Sequence, residues 1–270
     1  MATLGKIIFY SMVTLIVLFS ALIILILAVT LAGVTFRIKS ANKTPVGNLG
    51  KEQLLSCFLN TDSDQINDMS VTWVKTGSTG IVHQYSEGVE DLSDQDSRYI
   101  GRTRLFQDSL LQGNGSLLLR GLRRSDEGEY RCSIESSEGS GDITIHLRTG
   151  AYSAPTFTFA SGVLKAEAAR WFPKPEVTWT DSAENILKAE TDMSENSEGI
   201  FSFTSRLKEV NSSSTYYCNV QNQLVKSVSE AILTGTGVQD NSYFIFSSAT
   251  SQLVSHLSLT AALLCLAYVT

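Results

Sequence analysis

The chain has 270 residues, a formal net charge of −6 at pH 7, four cysteines and three histidines. That length suits one or two domains, and the acidic balance argues against a nucleic-acid partner, which needs a basic footprint. The cysteines are far apart with no Cys-x-x-Cys pair, which disfavours a zinc site and makes a disulfide, formed in an oxidising compartment, the natural reading.

Residues 7–36 carry no charge and are rich in Ile, Leu and Val, with Lys6 before them and Arg37 and Lys39 after. The run is longer than an ordinary signal-peptide core and long enough to span a bilayer. Residues 1–32 therefore read as a signal peptide, or as a signal anchor if uncleaved. The small residues of Thr30-Leu31-Ala32 favour cleavage after Ala32. The positive charges that follow disfavour an anchor that leaves the rest of the chain outside. Three N-glycosylation sequons, at Asn42, Asn114 and Asn211, point to the same secretory route.

Residues 34–149 show short alternating strands separated by turn residues, as an antiparallel sandwich requires. Cys57 lies in Gln53-Leu54-Leu55-Ser56-Cys57, Trp73 in Val71-Thr72-Trp73-Val74, and Cys132 closes Asp126-Glu127-Gly128-Glu129-Tyr130-Arg131-Cys132. Two sheets packed face to face lie about 10 Å apart, so a disulfide across the gap needs one inward cysteine from each. Trp73 fills the core against that bridge. Tyr130 shares the inward parity of Cys132 and sits where a tyrosine corner anchors the turn entering its strand. This order of partners is the signature of an immunoglobulin-type domain. The stretch from Trp73 to Arg102 has room for the two extra strands of a variable-type sandwich. Ile81, His83 and Tyr85 are expected on one face of the first of these, and Val82 and Gln84 on the other. Arg102 opens the following strand, where such domains commonly pair an arginine with the aspartate of the motif, here Asp126.

Periodicity stops at a short hinge, residues 149–155, punctuated by Gly150 and Pro155. A second sandwich of constant type is expected over residues 153–235, with Trp179 and Tyr216 as its core anchors and Cys218 repeating the Tyr-x-Cys step. The position that should supply a partner cysteine, thirteen residues before Trp179, is Ala166. Cys218 then reads as an inert buried thiol, with an intermolecular disulfide as the alternative. Residues 236–252 are expected to form a stalk. The apolar residues 253–270 read as a glycolipid-anchor signal, with a short transmembrane segment as the alternative. Small residues that could take the lipid occur at 240–242 and again at 247–249.

The fold class is thus all-β, two tandem immunoglobulin-like sandwiches between apolar ends. Motifs for nucleophilic, zinc-dependent or nucleotide chemistry are absent from the sequence, so no enzyme activity, cofactor, metal or small-molecule substrate is expected. The acidic run of residues 87–96 lacks the spacing of a calcium loop and reads as a solvated loop. What remains is binding. The outer face of the sheet holding Trp73 and Cys132 offers Thr72, Val74, Arg131, Ser133, Thr144 and His146. Glu138, in the connection 135–141, projects from its end.

Three segments, Tyr99-Ile100-Gly101-Arg102-Thr103, the Asp126–Cys132 motif, and Arg170-Trp171-Phe172-Pro173-Lys174-Pro175-Glu176-Val177-Thr178-Trp179, resemble the butyrophilin-related family of T-cell costimulatory and coinhibitory ligands. The resemblance implies a ligand on the external side of the plasma membrane. It would engage an unidentified T-cell surface receptor and lower T-cell proliferation and cytokine output. A costimulatory ligand or a cell-adhesion molecule is the alternative. Family members carry a disulfide in each sandwich, and Ala166 departs from that.

Overall fold

The computed structural model describes residues 2–32, 38–61, 66, 68–137, 139–235 and 237–247. Helix α1 (Ala2–Ala32) has a solvent-facing apolar window, Phe9–Ile26, that is long enough to cross a membrane. A helix apolar all round has no face to bury against a soluble core, which fits either a signal sequence or a membrane segment.

The first sandwich uses strands β1 (Ile38–Lys39), β2 (Val46–Asn48), β3 (Gln53–Leu55), β4 (Phe58–Leu59), β5 (Ser70–Lys75), β6 (Ile81–Ser86), β7 (Val89–Glu90), β8 (Thr103–Leu105), β9 (Leu117–Leu119), β10 (Gly128–Ser136) and β11 (Gly139–Gly150). One sheet runs β2-β11-β10-β5-β6-β7; the other layer is β3-β9-β8 with the β1–β4 pair. β6 and β7 occupy the stretch between Trp73 and Arg102. Along β10, Tyr130, Cys132 and Ile134 are buried while Arg131 and Glu135 are exposed, the period-2 pattern of a half-buried strand.

Cys57 and Cys132 are bridged across the two layers, with both residues fully buried. Trp73 faces Cys132 in register, and its indole N–H donates to the Gly115 carbonyl at 2.8 Å. The Tyr130 hydroxyl donates to the Asp126 carbonyl at 2.7 Å, closing the corner before β10. The Arg102 guanidinium grips the Asp126 carboxylate through two N–H groups, the longer bond being 3.2 Å. Their side chains are 12% and 3% exposed.

One face assignment is corrected. The register of β5 on β6 shifts between Trp73 and Val74, so Trp73 pairs with His83 but Val74 pairs with Ile81. An extra residue in one strand of a pair reverses parity beyond it. Ile81 therefore joins Gln84 on the outer face, while His83 and Val82 are both buried.

The second sandwich comprises β12 (Thr156–Ala160), β13 (Val163–Trp171), β14 (Glu176–Asp181), β15 (Ile186–Leu187), β16 (Glu190–Glu195), β17 (Phe201–Lys208), β18 (Thr215–Gln221), β19 (Val225–Thr234) and β20 (Gly237–Phe246). Its sheets run β12-β13-β17-β16 and β15-β14-β18-β19-β20. Trp179 is buried and donates to the Ser205 hydroxyl at 2.8 Å; Tyr216 is 9% exposed and its hydroxyl accepts the Asn211 N–H at 2.8 Å.

Among the described residues Cys218 is the unbridged cysteine, and burial pushes its thiol up to about 12, so almost no thiolate forms at neutral pH. Ala166 is likewise fully buried in the same core. Ala166→Cys is expected to bridge to Cys218 and raise the melting temperature of this sandwich. Differential scanning calorimetry with and without reductant checks it, and a reductant-insensitive Tm counts against the pairing.

The expected stalk, 236–252, is corrected as far as Phe246. β20 pairs antiparallel with β19 from Thr234↔Gly237 to Val225↔Phe246 and turns Val238 and Phe244 onto the core. This stretch alternates well enough to satisfy a free sheet edge, which a spacer would leave open. Residues 248–270, including the expected anchor signal, lie outside the described residues.

The expected hinge is likewise bonded. Ala151 and Phe172 exchange two backbone hydrogen bonds, at 2.8 and 3.1 Å. Leu49, Ala151 and Ile200 form a small core against Phe172, over whose ring the Arg124 guanidinium lies at 3.7 Å. Arg170 donates to the Leu49 carbonyl at 2.7 Å, and the Asn48 amide bonds both the carbonyl and the N–H of Tyr152, at 2.8 and 3.3 Å.

Candidate recognition face

The outer face of β11-β10-β5-β6 is a set of cross-strand rows. Thr144, Arg131, Val74 and Ile81 make one; Asp142, Ser133, Thr72 and Gln84 make the next. His146 and Glu129 pair at the margin. Five of the six residues expected on this face thus share two adjacent rows, and His146 flanks them. Glu138 lies outside the described residues. Sequence reasoning passed over Asp142 and Glu129, although each alternates with a residue already assigned to the face. Ile81 could not have been found that way, because the bulge that turns it outward leaves no mark in the hydrophobic pattern.

Arg131 contacts Asp142 at 3.0 Å, and that carboxylate raises the guanidinium above its ordinary value. His146 lies 3.4 Å from Glu129. These pairs are roughly half exposed, and solvent screening leaves such pairs only weakly held. Each side chain is therefore free to exchange its neighbour for a charge on an incoming protein. Val74 and Ile81, half-buried between the charged groups, supply the apolar centre that protein contacts favour. The face is broad and shallow, with polar groups spaced along strands rather than converging on a point. That geometry suits a protein surface rather than a small molecule.

The sequons are spread around this sandwich and the next. Asn42 is exposed, and the neighbouring Lys43 carbonyl accepts the His146 N–H at 2.7 Å, so this sequon borders the face. Asn114 is half-buried, with its side-chain oxygen accepting the Ser116 N–H at 3.0 Å, and Asn211 is exposed in a turn of the second sandwich. In the acidic run, the Asp96 carboxylate is taken by Arg98 at 2.7 Å and by Ser78 at 2.9 Å. No group of three or more His, Cys, Asp or Glu among the described residues is placed to hold a metal ion.

His83 is buried behind the face. Its Nδ1 meets the Thr103 hydroxyl at 2.9 Å, and its Nε2 lies 3.3 Å from Glu90 without hydrogen-bond alignment. Burial lowers its pKa below the ordinary 6.5, outweighing the attraction of Glu90. The unfolded chain then binds the extra proton more readily, so this residue's contribution to stability is complete above about pH 6.5 and is lost as pH falls through the folded value. The Tm of the first sandwich is expected to decline on acidification below that point, and His83→Gln to flatten the profile. Calorimetry from pH 7.5 to 5 checks both.

Residues 41–149 match the immunoglobulin V-set domain model, and residues 162–230 match the Ig-C domain model of butyrophilin subfamily 3 member A2-like proteins. The chain is 34% identical over 268 residues to V-set domain-containing T-cell activation inhibitor 1 of Rattus norvegicus, covering 96% of this chain and 94% of the relative. The Homo sapiens protein of that name is 33% identical, with 94% and 93% covered. The chain belongs to this butyrophilin-related family. Its members are immunoglobulin-domain binding proteins rather than enzymes. The solved human B7-H4 IgV-like domain is 35% identical over 42% of this chain and 95% of its own, with a TM-score of 0.38. In the first sandwich the Asp126–Cys132 motif and its Arg102 partner are assembled beside the disulfide, whereas Ala166 and the unbridged Cys218 share the core of the second.

Proposed function

We propose that this protein is a cell-surface ligand that engages a receptor on T cells through the outer face of β11-β10-β5-β6 and restrains T-cell activation. The observation that carries the reading is the pair of adjacent rows centred on Arg131, Val74 and Ile81, open to solvent on a disulfide-braced sandwich. The names of the relatives, T-cell activation inhibitors in both species, support the sign of the signal. The rigid sheet holds the rows without further ordering, which lowers the entropic cost of binding.

The mature chain sits on the external side of the plasma membrane, delivered by residues 1–32 and held by the apolar stretch 253–270 as a lipid-anchor signal or a helix. Lipid attachment at 247–249 leaves β20 whole, whereas attachment at 240–242 would cut that strand in its middle. Release from cells by phosphatidylinositol-specific lipase separates the two anchors. For the function itself, the protein is displayed on beads beside a T-cell-receptor stimulus. Reduced proliferation and cytokine release is the expected result; unchanged output at saturating density rules the inhibitory role out.

A further inference from the structure

β20 carries the chain the wrong way for an upright molecule. The turn between β19 and β20 lies at the end of the second sandwich far from the first, and β20 then runs back toward the first sandwich. Its last residues arrive at the elbow. Arg148 of β11 donates to the Ser247 hydroxyl and carbonyl, and Tyr152 lies between the rings of Phe244 and Phe246, at 5.2 and 5.5 Å. Ser247 also bonds the Gln223 and Leu224 carbonyls in the β18–β19 turn.

From Ser247 to the apolar stretch beginning at Leu253 the chain can span roughly 20 Å when fully extended. β20, ten residues long, is roughly 30 Å from end to end. A membrane helix that begins so soon after Ser247, or a lipid attached at 247–249, leaves the chain at the elbow and not beneath the far end of the sandwich. Either draws the elbow to the bilayer.

The surface beside that exit has the matching chemistry. On the outward side of β20, Tyr243 and Ile245 are 56% and 50% exposed. Their partners on β19 are Val228 and Lys226. Farther from the elbow the same row turns polar, with Asn241 opposite Glu230 and Gln239 opposite Ile232. An aromatic and aliphatic patch with a lysine at its edge is the composition that settles at a membrane–water interface, where ring and stem reach the acyl boundary and polar tips stay wet. The apolar half of the row is the half nearest the exit.

We infer that the elbow end of β20 docks on the lipid surface, through Tyr243 and Ile245, so that the molecule lies with its elbow at the bilayer and presents the first sandwich obliquely. This rests on the reading of 253–270 as the source of the membrane linkage. The test uses the anchored protein made in eukaryotic cells, with a benzophenone-bearing phenylalanine analogue at position 243, 245 or 186. Ile186, 83% exposed, lies on β15 at the opposite edge of the same sheet and serves as control. The protein is returned to phosphatidylcholine vesicles, floated and irradiated. Lipid adducts several-fold more abundant at 243 and 245 than at 186 are expected. A protein that floats but labels lipid equally at all three positions overturns the inference alone. So do adducts to a second copy of the chain, which would make this edge a protein contact. A protein that does not float fails the membrane linkage itself, and the docking falls with it.

Discussion

Replacing Cys57 and Cys132 together by alanine is expected to lower the unfolding free energy of the first sandwich by about 4 kcal/mol, the model-dependent value for a long closed loop. The two residues are 75 apart in sequence, so the reduced chain regains the freedom of most of the domain. Both are fully buried beside Trp73, and the lost sulfur atoms leave space that the indole cannot fill without giving up its bond to Gly115. For a domain near a hundred residues, that loss shifts Tm by roughly 20 °C. Calorimetry of the whole ectodomain carries its own control, because the second sandwich has no bridge to lose and its transition should stay in place. A shift of the first transition under about 5 °C would mean that packing alone holds the layers together.

The next largest effect is expected from Asp126→Ala. Its carboxylate accepts two N–H groups from Arg102 and the backbone N–H of Arg123, and it is almost wholly shielded from water. Removing it strands a buried guanidinium, which typically costs about 3–5 kcal/mol. Arg102 keeps bonds to the carbonyls of Arg98, Arg120 and Gly121, at 2.9, 3.1 and 3.0 Å, so the lower end of that range applies. The double variant Arg102→Met/Asp126→Leu should recover much of the loss, since neither charge is then left unpaired. Urea denaturation of the two variants side by side makes the comparison. A double variant no better than the single one would place the cost in lost packing.

What the sequence made legible was whatever depends on strand parity and on residues with one strong partner. Trp73, Tyr130 and Cys132 share the inward side of their strands, Cys57 lies buried in the break between β3 and β4, and Arg102 and Asp126 follow from the motif. Ala166 stood out because a fixed spacing from Trp179 says what should be there. Three features were hidden for distinct reasons. The bulge between Trp73 and Val74 is set by how β5 meets β6, not by the composition of either. β20 was masked by Asp240, which interrupts the inward row of Val238, Ser242 and Phe244, and by its nearness to an apolar tail. The elbow depends on Arg124, Arg170 and Ile200, contributed from far along the chain to a segment whose own Gly150 and Pro155 suggested freedom.

The recognition face was partly legible for the same reason. Parity gives Thr72, Val74, Arg131, Ser133, Thr144 and His146, and applied fully it gives Asp142 and Glu129. Whether the face is used is a question of energy at its centre, where Arg131 and Val74 sit side by side in one row. Arginine beside an apolar neighbour is the kind of contact on which binding energy concentrates.

The direct measurement is the binding of purified ectodomain to activated T cells, wild type against Arg131→Ala/Val74→Asp, with the Tm of both proteins taken in parallel. Saturable binding by the wild type, weakened at least about tenfold in a variant that melts normally, is the predicted result, equal to about 1.4 kcal/mol or more. Equal binding by the two proteins, or none by the wild type, would contradict a recognition role for this face.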